Sequence, residues 1–141
     1  MTVWLLDSNA VMGYLNQDPT PGFSEQFERS LLEGAAVSVI TTIEVLGWRG
    51  HDDSSRASAG KLLGCMEEMP LATSEVRQTI YLRSHYSIKL PDAVIAATAL
   101  VHGLKLMTSN LADFERIAGL SIVNPFAVFL DAGDTPATKI S

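Results

Sequence analysis

Val3-Trp4-Leu5-Leu6 is an unbroken apolar run closed by Asp7 and followed at once by the helix-start residues Ser8 and Asn9. A run this short, without alternation, predicts a strand buried on both faces, as in parallel sheets covered by helices on either side. Asp7 then stands at the carboxyl end of that strand. In open α/β sheets ligands bind outside those ends, where the strand order reverses, and a first strand is a common occupant of that position. The reading turns on which other groups join Asp7.

The rest of the chain repeats the alternation. Ala10 to Leu15 has helical spacing, and Asn16-Gln17-Asp18-Pro19-Thr20-Pro21-Gly22 ends it with turn formers. Phe23, Phe27 and Leu31 recur every four residues, with Ser24 as a candidate cap and Gly34 as the stop. Ala35 to Ile40 reads as a second strand feeding a helix over Thr41 to Trp48, which brings Glu44 close to a strand end. His51-Asp52-Asp53-Ser54-Ser55 is a polar loop whose serines can cap a helix carrying Leu62, Leu63, Cys65 and Met66. Met69 to Ala72 reads as a short third strand. Ser74 opens a helix expected to turn Val76, Ile80 and Tyr81 inward. Pro91 then suits a first helical turn, where its missing N–H has no partner in any case, and places Asp92 in that turn.

Ala93 to His102 is apolar nearly all round, the mark of a helix buried in the core, and Gly103 stops it. Leu104 to Thr108 is the fourth strand, Ser109 to Phe114 a turn into a short helix, and Leu120 to Val123 the fifth strand. Pro125 begins a closing turn through Phe129. With 141 residues, 47% hydrophobic and 18% charged, the chain fits one α/β domain over residues 1–130 with a polar tail over 131–141, since domains cluster at about 100–150 residues.

Composition also excludes several classes. No apolar run approaches the ~20 residues that span a bilayer, and no basic signal-peptide start precedes an apolar core, so a soluble, cytoplasmic protein without a membrane partner is expected. The single cysteine, Cys65, cannot form an internal disulfide or a thiolate metal site and is expected to be a small buried hydrophobe. His51, His85 and His102 lack paired metal-ligand spacing, and His102 suits the C-terminus of its helix. A net charge of −6 speaks against a broad nucleic-acid surface but allows a local basic rim. No P-loop pattern is present.

Each acid has a local alternative. Asp7 can be a helix cap, Thr41 with Glu44 has capping-box spacing, Asp92 suits a helix dipole, and Asn110 can cap a helix that has Asp113 in its first turn. Together they point elsewhere. Asp7, Glu44 and the Asn110/Asp113 pair follow separate strands, so a parallel sheet lines them along one edge, and Asp92 heads a buried helix packed on that sheet. Carboxylates converging without matched Lys or Arg repel, and a divalent cation relieves that. Oxygen-only ligands suit Mg²⁺ or Mn²⁺ rather than zinc.

Leu5-Leu6-Asp7-Ser8-Asn9, Thr42-Ile43-Glu44-Val45-Leu46-Gly47, Leu90-Pro91-Asp92 through Ala99, and Met107-Thr108-Ser109-Asn110 through Phe114, closed by Gly119 to Phe126, together resemble PIN-domain proteins. Within that family the likeness is to VapC-type toxins of toxin-antitoxin pairs, and it spans nearly the whole chain. The resemblance implies a three-layer α/β/α fold with a central parallel sheet of about five strands, and an acidic pocket for Mg²⁺ or Mn²⁺. Asp7, Glu44 and Asp92 match the core acids, and Asp113 takes the fourth position with Asn110 beside it. Many members carry arginine where this chain has Ser109, which removes a cation that can touch substrate phosphate.

The expected activity is a metal-dependent endoribonuclease with Asp7, Asp92 and Asp113 as ligands. Glu44 is either a ligand or the group that orients the attacking water. Arg49, Lys89 and Arg116 lie near the acids in sequence and are the candidates for phosphate contacts, with Ser109 and Asn110 beside them. Family likeness adds an antitoxin peptide laid over the pocket and a homodimer. The competing expectation is a PIN-like interaction module whose acids merely cap helices, with Trp4, Trp48 and the Phe126–Phe129 end as contact sites or core. A Mg²⁺-dependent phosphatase lacks the Asp-x-Asp pair after the first strand.

Overall fold

The computed structural model describes residues 1–127. Five short strands, β1 (Trp4–Leu6), β2 (Ala35–Ser38), β3 (Glu67–Met69), β4 (Lys105–Met107) and β5 (Ile122–Val123), form one sheet in the order β3-β2-β1-β4-β5. Every pairing is parallel. The helices are α1 (Ser8–Leu15), α2 (Phe23–Glu33), α3 (Val39–Leu46), α4 (Asp53–Leu63), α5 (Thr73–His85), α6 (Leu90–His102) and α7 (Leu111–Phe114). The chain first winds outward from β1 to β2 and β3, then returns to place β4 on the other side of β1. That reversal puts the switch point between β1 and β4, directly after Asp7.

The unbroken apolar run of β1 is explained by two cores. Leu5 faces a cluster with Leu82 of α5, Ala93, Ile95 and Ala96 of α6, and Phe114 of α7. Trp4 and Leu6 face the opposite cluster with Ala10 and Val11 of α1, Phe23 and Phe27 of α2, and Leu63 of α4. The sheet is therefore the middle of three layers, as expected. Residues Ala93 to Ala99 of α6 are all buried.

Several local expectations are corrected. The second strand ends at Ser38, whose side chain accepts from Ile40 N at 3.1 Å and starts α3 two residues earlier than the apolar run suggests. Gly22, in the left-handed region at φ 82°, precedes α2, and Ser24 lies inside the helix without capping it. β3 covers Glu67–Met69 rather than Met69 to Ala72. Ser55 does join a capping box, at the third position, with Asp52 as the cap. Cys65 is exposed, because α4 ends at Leu63 and the next buried residue is Met66.

The largest correction concerns α5. Val76, Ile80 and Tyr81 are 40%, 62% and 50% exposed, while Glu75, Thr79 and Leu82 are buried. Glu75 tolerates burial because it is hydrogen-bonded to His102 of α6, to Ala72 N at 3.2 Å and to the Ser74 hydroxyl at 3.1 Å. A buried carboxylate with its donors supplied is stable where an unpaired one is not. Trp4 is core, with its indole Nε1 donating to Glu33 at 2.7 Å, whereas Trp48 is 47% exposed. Phe126 stacks on Phe23; Phe129 and the 131–141 tail lie outside the described residues. No described helix is long and apolar enough to cross a membrane.

Candidate active site

Asp7 is the last residue before α1 and is only 5% exposed. Its carboxylate accepts three kinds of bond. Ser8 N donates to Oδ1 at 2.8 Å, the Thr108 hydroxyl donates to Oδ2 at 2.7 Å, and Asn9 Nδ2 donates to Oδ2 at 3.1 Å. The cap reading of Asp7 is thus correct as far as it goes, but one of the donors, Thr108, arrives from across the sheet. Asn9 also donates to Thr108 Oγ1 at 3.2 Å and accepts from Ser109 N at 3.0 Å, tying the end of β1 to the end of β4. Burial pushes the Asp7 pKa up, opposed by these donors and reinforced by the charge of Glu44.

Glu44 sits in the body of α3, and its Oε1 accepts from the Ser8 hydroxyl. The capping-box alternative fails, because α3 starts at Val39 and Thr41 lies inside it. Thr41 is fully buried, with a hydroxyl that finds no partner among the described residues. Asp92 lies in the first turn of α6, behind Pro91. Its pKa is pushed up to about 6, first by burial, then by the charges of Asp7 and Asp113, a hydrogen bond with Asp113, and the charge of Glu44. Asn110 does not cap α7; its Nδ2 donates to Asp113 Oδ2 at 2.8 Å, while Asn110 N donates to Thr108 Oγ1 at 3.0 Å.

Four acids, one just after β1 and the others on α3, α6 and α7, therefore gather at the switch point near enough for the charges of Asp7, Glu44 and Asp113 to act on Asp92. The Arg56–Asp53 ion pair and the His102–Glu75 hydrogen bond among the described residues lie outside this group. As placed, no three acid, histidine or cysteine side chains among the described residues stand close enough to enclose a cation. The donor set nonetheless fits a hard divalent ion: it is oxygen-only, and burial together with the charges of the other acids raises the Asp92 pKa to about 6. A cavity of about 520 Å³ lies elsewhere, between the end of α1, the start of α2 and α4, lined by Leu15, Asp18, Phe23, Glu28 and Leu62 among others.

The cations differ in placement. Arg49 is exposed just beyond α3, and Lys89 is exposed immediately before α6. Arg116, two residues past α7, donates through Nη2 to the Ser87 carbonyl. Ser109 is exposed, with its N–H on Asn9. Three residues at the site were not singled out from sequence: Ser8, Asn9 and Thr108. Their signal was position alone, since each is a polar residue in the first two positions after an acid or a strand.

The sequence profile of the PIN domain matches residues 4–120, which include all four acids. The chain is a PIN-domain protein. Among its relatives, Ribonuclease VapC10 of Mycobacterium tuberculosis is 36% identical over 98 residues, covering 66% of this chain and 71% of its own. Among solved structures, a toxin-antitoxin complex from Klebsiella pneumoniae superposes with a TM-score of 0.70 at 29% identity, covering 86% of this chain and 96% of that one. DNA-bound VapBC from Salmonella typhimurium superposes with a TM-score of 0.78 at 22% identity, over 89% and 99% of the two chains, a likeness of fold.

Proposed function

We propose that this PIN-domain protein is a metal-dependent endoribonuclease and the toxin of a toxin-antitoxin pair. The observation that carries the reading is Asp92, held at a pKa of about 6 by burial and by Asp7, Asp113 and Glu44 at the switch point. Clustered acids with shifted pKa values in a crevice are the mark of a functional site. The similarity to a protein named as a ribonuclease, over 71% of its length, supports the reaction class. The likeness to a toxin-antitoxin complex supports an antitoxin peptide as partner. A homodimer completes the proposal by family likeness.

In this account Asp7, Asp92 and Asp113 hold Mg²⁺, or Mn²⁺ in its place. When bound, the ion lowers the pKa of water and stabilises charge building on the phosphoryl oxygens. Asp7 contributes a carboxylate whose orientation is fixed by Ser8, Asn9 and Thr108, so little ordering is left to do at the moment of reaction. Glu44, steadied by the Ser8 hydroxyl, orients the attacking water. Asp92, when it retains its proton, is unavailable as a ligand and must lose it first. Arg49, Lys89, Ser109 and Asn110 are the proposed substrate contacts. So few cations favour single-stranded or looped RNA, selected by shape and exposed bases, over uniform backbone binding.

The test is cleavage of a mixed structured-RNA pool by wild type, Asp7→Asn and Asp92→Asn, with and without Mn²⁺. Cleavage by the wild type with Mn²⁺ alone is expected. Folded wild type that leaves the pool intact, indistinguishable from both variants, overturns the reading.

A further inference from the structure

We propose that Arg116 is a positioning residue, clasping the chain segment that carries Asp113 to the one that leads into Asp92, rather than a contact for substrate phosphate. The inference rests on the nuclease reading, since it concerns the spacing of two acids of that site. Three donors hold the connection between α5 and α6, two on its backbone carbonyls and one on a side-chain hydroxyl. Arg116 Nη2 donates to the Ser87 carbonyl, Arg83 Nη1 donates to the Ile88 carbonyl at 2.8 Å, and Ala118 N donates to the Tyr86 hydroxyl at 3.4 Å. Two of the three come from the stretch just after α7. Arg116 follows Asp113 by three residues, and Ser87 precedes Asp92 by five.

Beneath this surface stitching, Ile88, Phe114 and Ile117 are buried in one cluster with Ala93 and Ile95 of α6. Apolar packing is non-directional and allows one segment to slide on another, whereas a hydrogen bond from a planar guanidinium fixes register. Asp92 and Asp113 are neighbours in the acidic group, close enough for the charge of one to act on the other. The register between the segments that bear them therefore sets the spacing of the two acids. Arg116 fixes that register with its donor directed at the Ser87 backbone carbonyl.

The experiment compares wild type, Arg116→Ala and Arg116→Gln. It follows amide hydrogen exchange over residues 90–93 and 111–115 without metal, Mn²⁺ affinity by calorimetry, and affinity for a short single-stranded oligoribonucleotide across a salt series in an Asp7→Asn background that suppresses cleavage. Arg116→Ala is expected to speed exchange in both segments and to weaken Mn²⁺ binding about tenfold, the low end for loss of an outer-shell support. RNA affinity should stay within about twofold and its salt slope should hold. Arg116→Gln, which keeps an N–H donor for Ser87 without the charge, should recover most of the Mn²⁺ affinity. Unchanged exchange and Mn²⁺ affinity, with weaker RNA binding and a salt slope reduced by about one, would overturn the proposal and make Arg116 a phosphate contact. Wild type that neither binds Mn²⁺ nor cuts RNA would instead overturn the nuclease reading. Faster exchange in Arg116→Ala would then mark a purely structural clasp.

Discussion

Asp92 binds its proton more tightly in the folded chain than in the unfolded one, with a pKa raised from 3.8 to about 6. For such a carboxylate the folded state takes up protons first, so its contribution to stability rises as pH falls from about 7 toward 4 and is unfavourable above. Asp92→Asn removes the repulsion at neutral pH. The metal-free variant should melt a few degrees above wild type at pH 7.5, with solvent screening at this half-buried site holding the gain to about 1 kcal/mol. The difference should shrink to about a third at pH 4.5 and vanish only below the unfolded pKa of 3.8, and calorimetric melting of both proteins at the two pH values checks it. The same pKa makes protons compete with metal. Mn²⁺ affinity at pH 5.5 should be about fourfold weaker than at pH 7.5 from Asp92 alone, because only about a quarter of it is ionised at the lower pH; titration at both values measures this. Asp7, also raised by burial, shifts the result in the same direction.

Among the elements, α5 shows how a helix chooses its inner face. Its apolar residues Val76, Ile80 and Tyr81 lie one residue, or about 100° of helix, away from the Glu75, Thr79 and Leu82 face that packs on α6. Glu75 decides the rotation: it closes the first turn through Ala72 N and meets His102 across the helix pair. Ile80→Ser should therefore change unfolding free energy by under about 0.5 kcal/mol. Leu82→Ala should cost about 2–5 kcal/mol. Urea unfolding of the two variants would show the reverse order if the helix sat as its apolar spacing suggests. In α3 the earlier start at Val39 has a similar force, since it moves Thr41 into the core and leaves Glu44 on the crevice side with Ser8.

At the scale of the whole molecule, the crevice is stabilised by what it binds. A divalent ion that occupies the acids only in the folded state raises stability by about 2.7 kcal/mol at a hundred times its dissociation constant. Millimolar Mn²⁺ should raise the melting temperature of wild type, a chelator should reverse the rise, and Asp92→Asn should be insensitive to both. The strand order makes this site possible. β4 lies beside β1, which brings Thr108 onto Asp7 across 101 residues of sequence and Asn9 onto Ser109 across 100.

Local pattern made much of this visible beforehand. The unbroken run before Asp7, the all-round apolar face of α6 and the Pro91-Asp92 start depend only on neighbours a few residues away, so strand, buried helix and first-turn acid could be read from the chain itself. The three layers and the grouping of the four acids followed from the alternation of strands and helices. The Thr108 donor on Asp7, the inner face of α5 and the carbonyl that takes Arg116 were decided by the tertiary structure. Each is a contact between segments distant in sequence, or a choice between helix faces of nearly equal polarity. Such choices depend on which surfaces the parallel sheet brings together, and a periodic pattern carries no information about its partner.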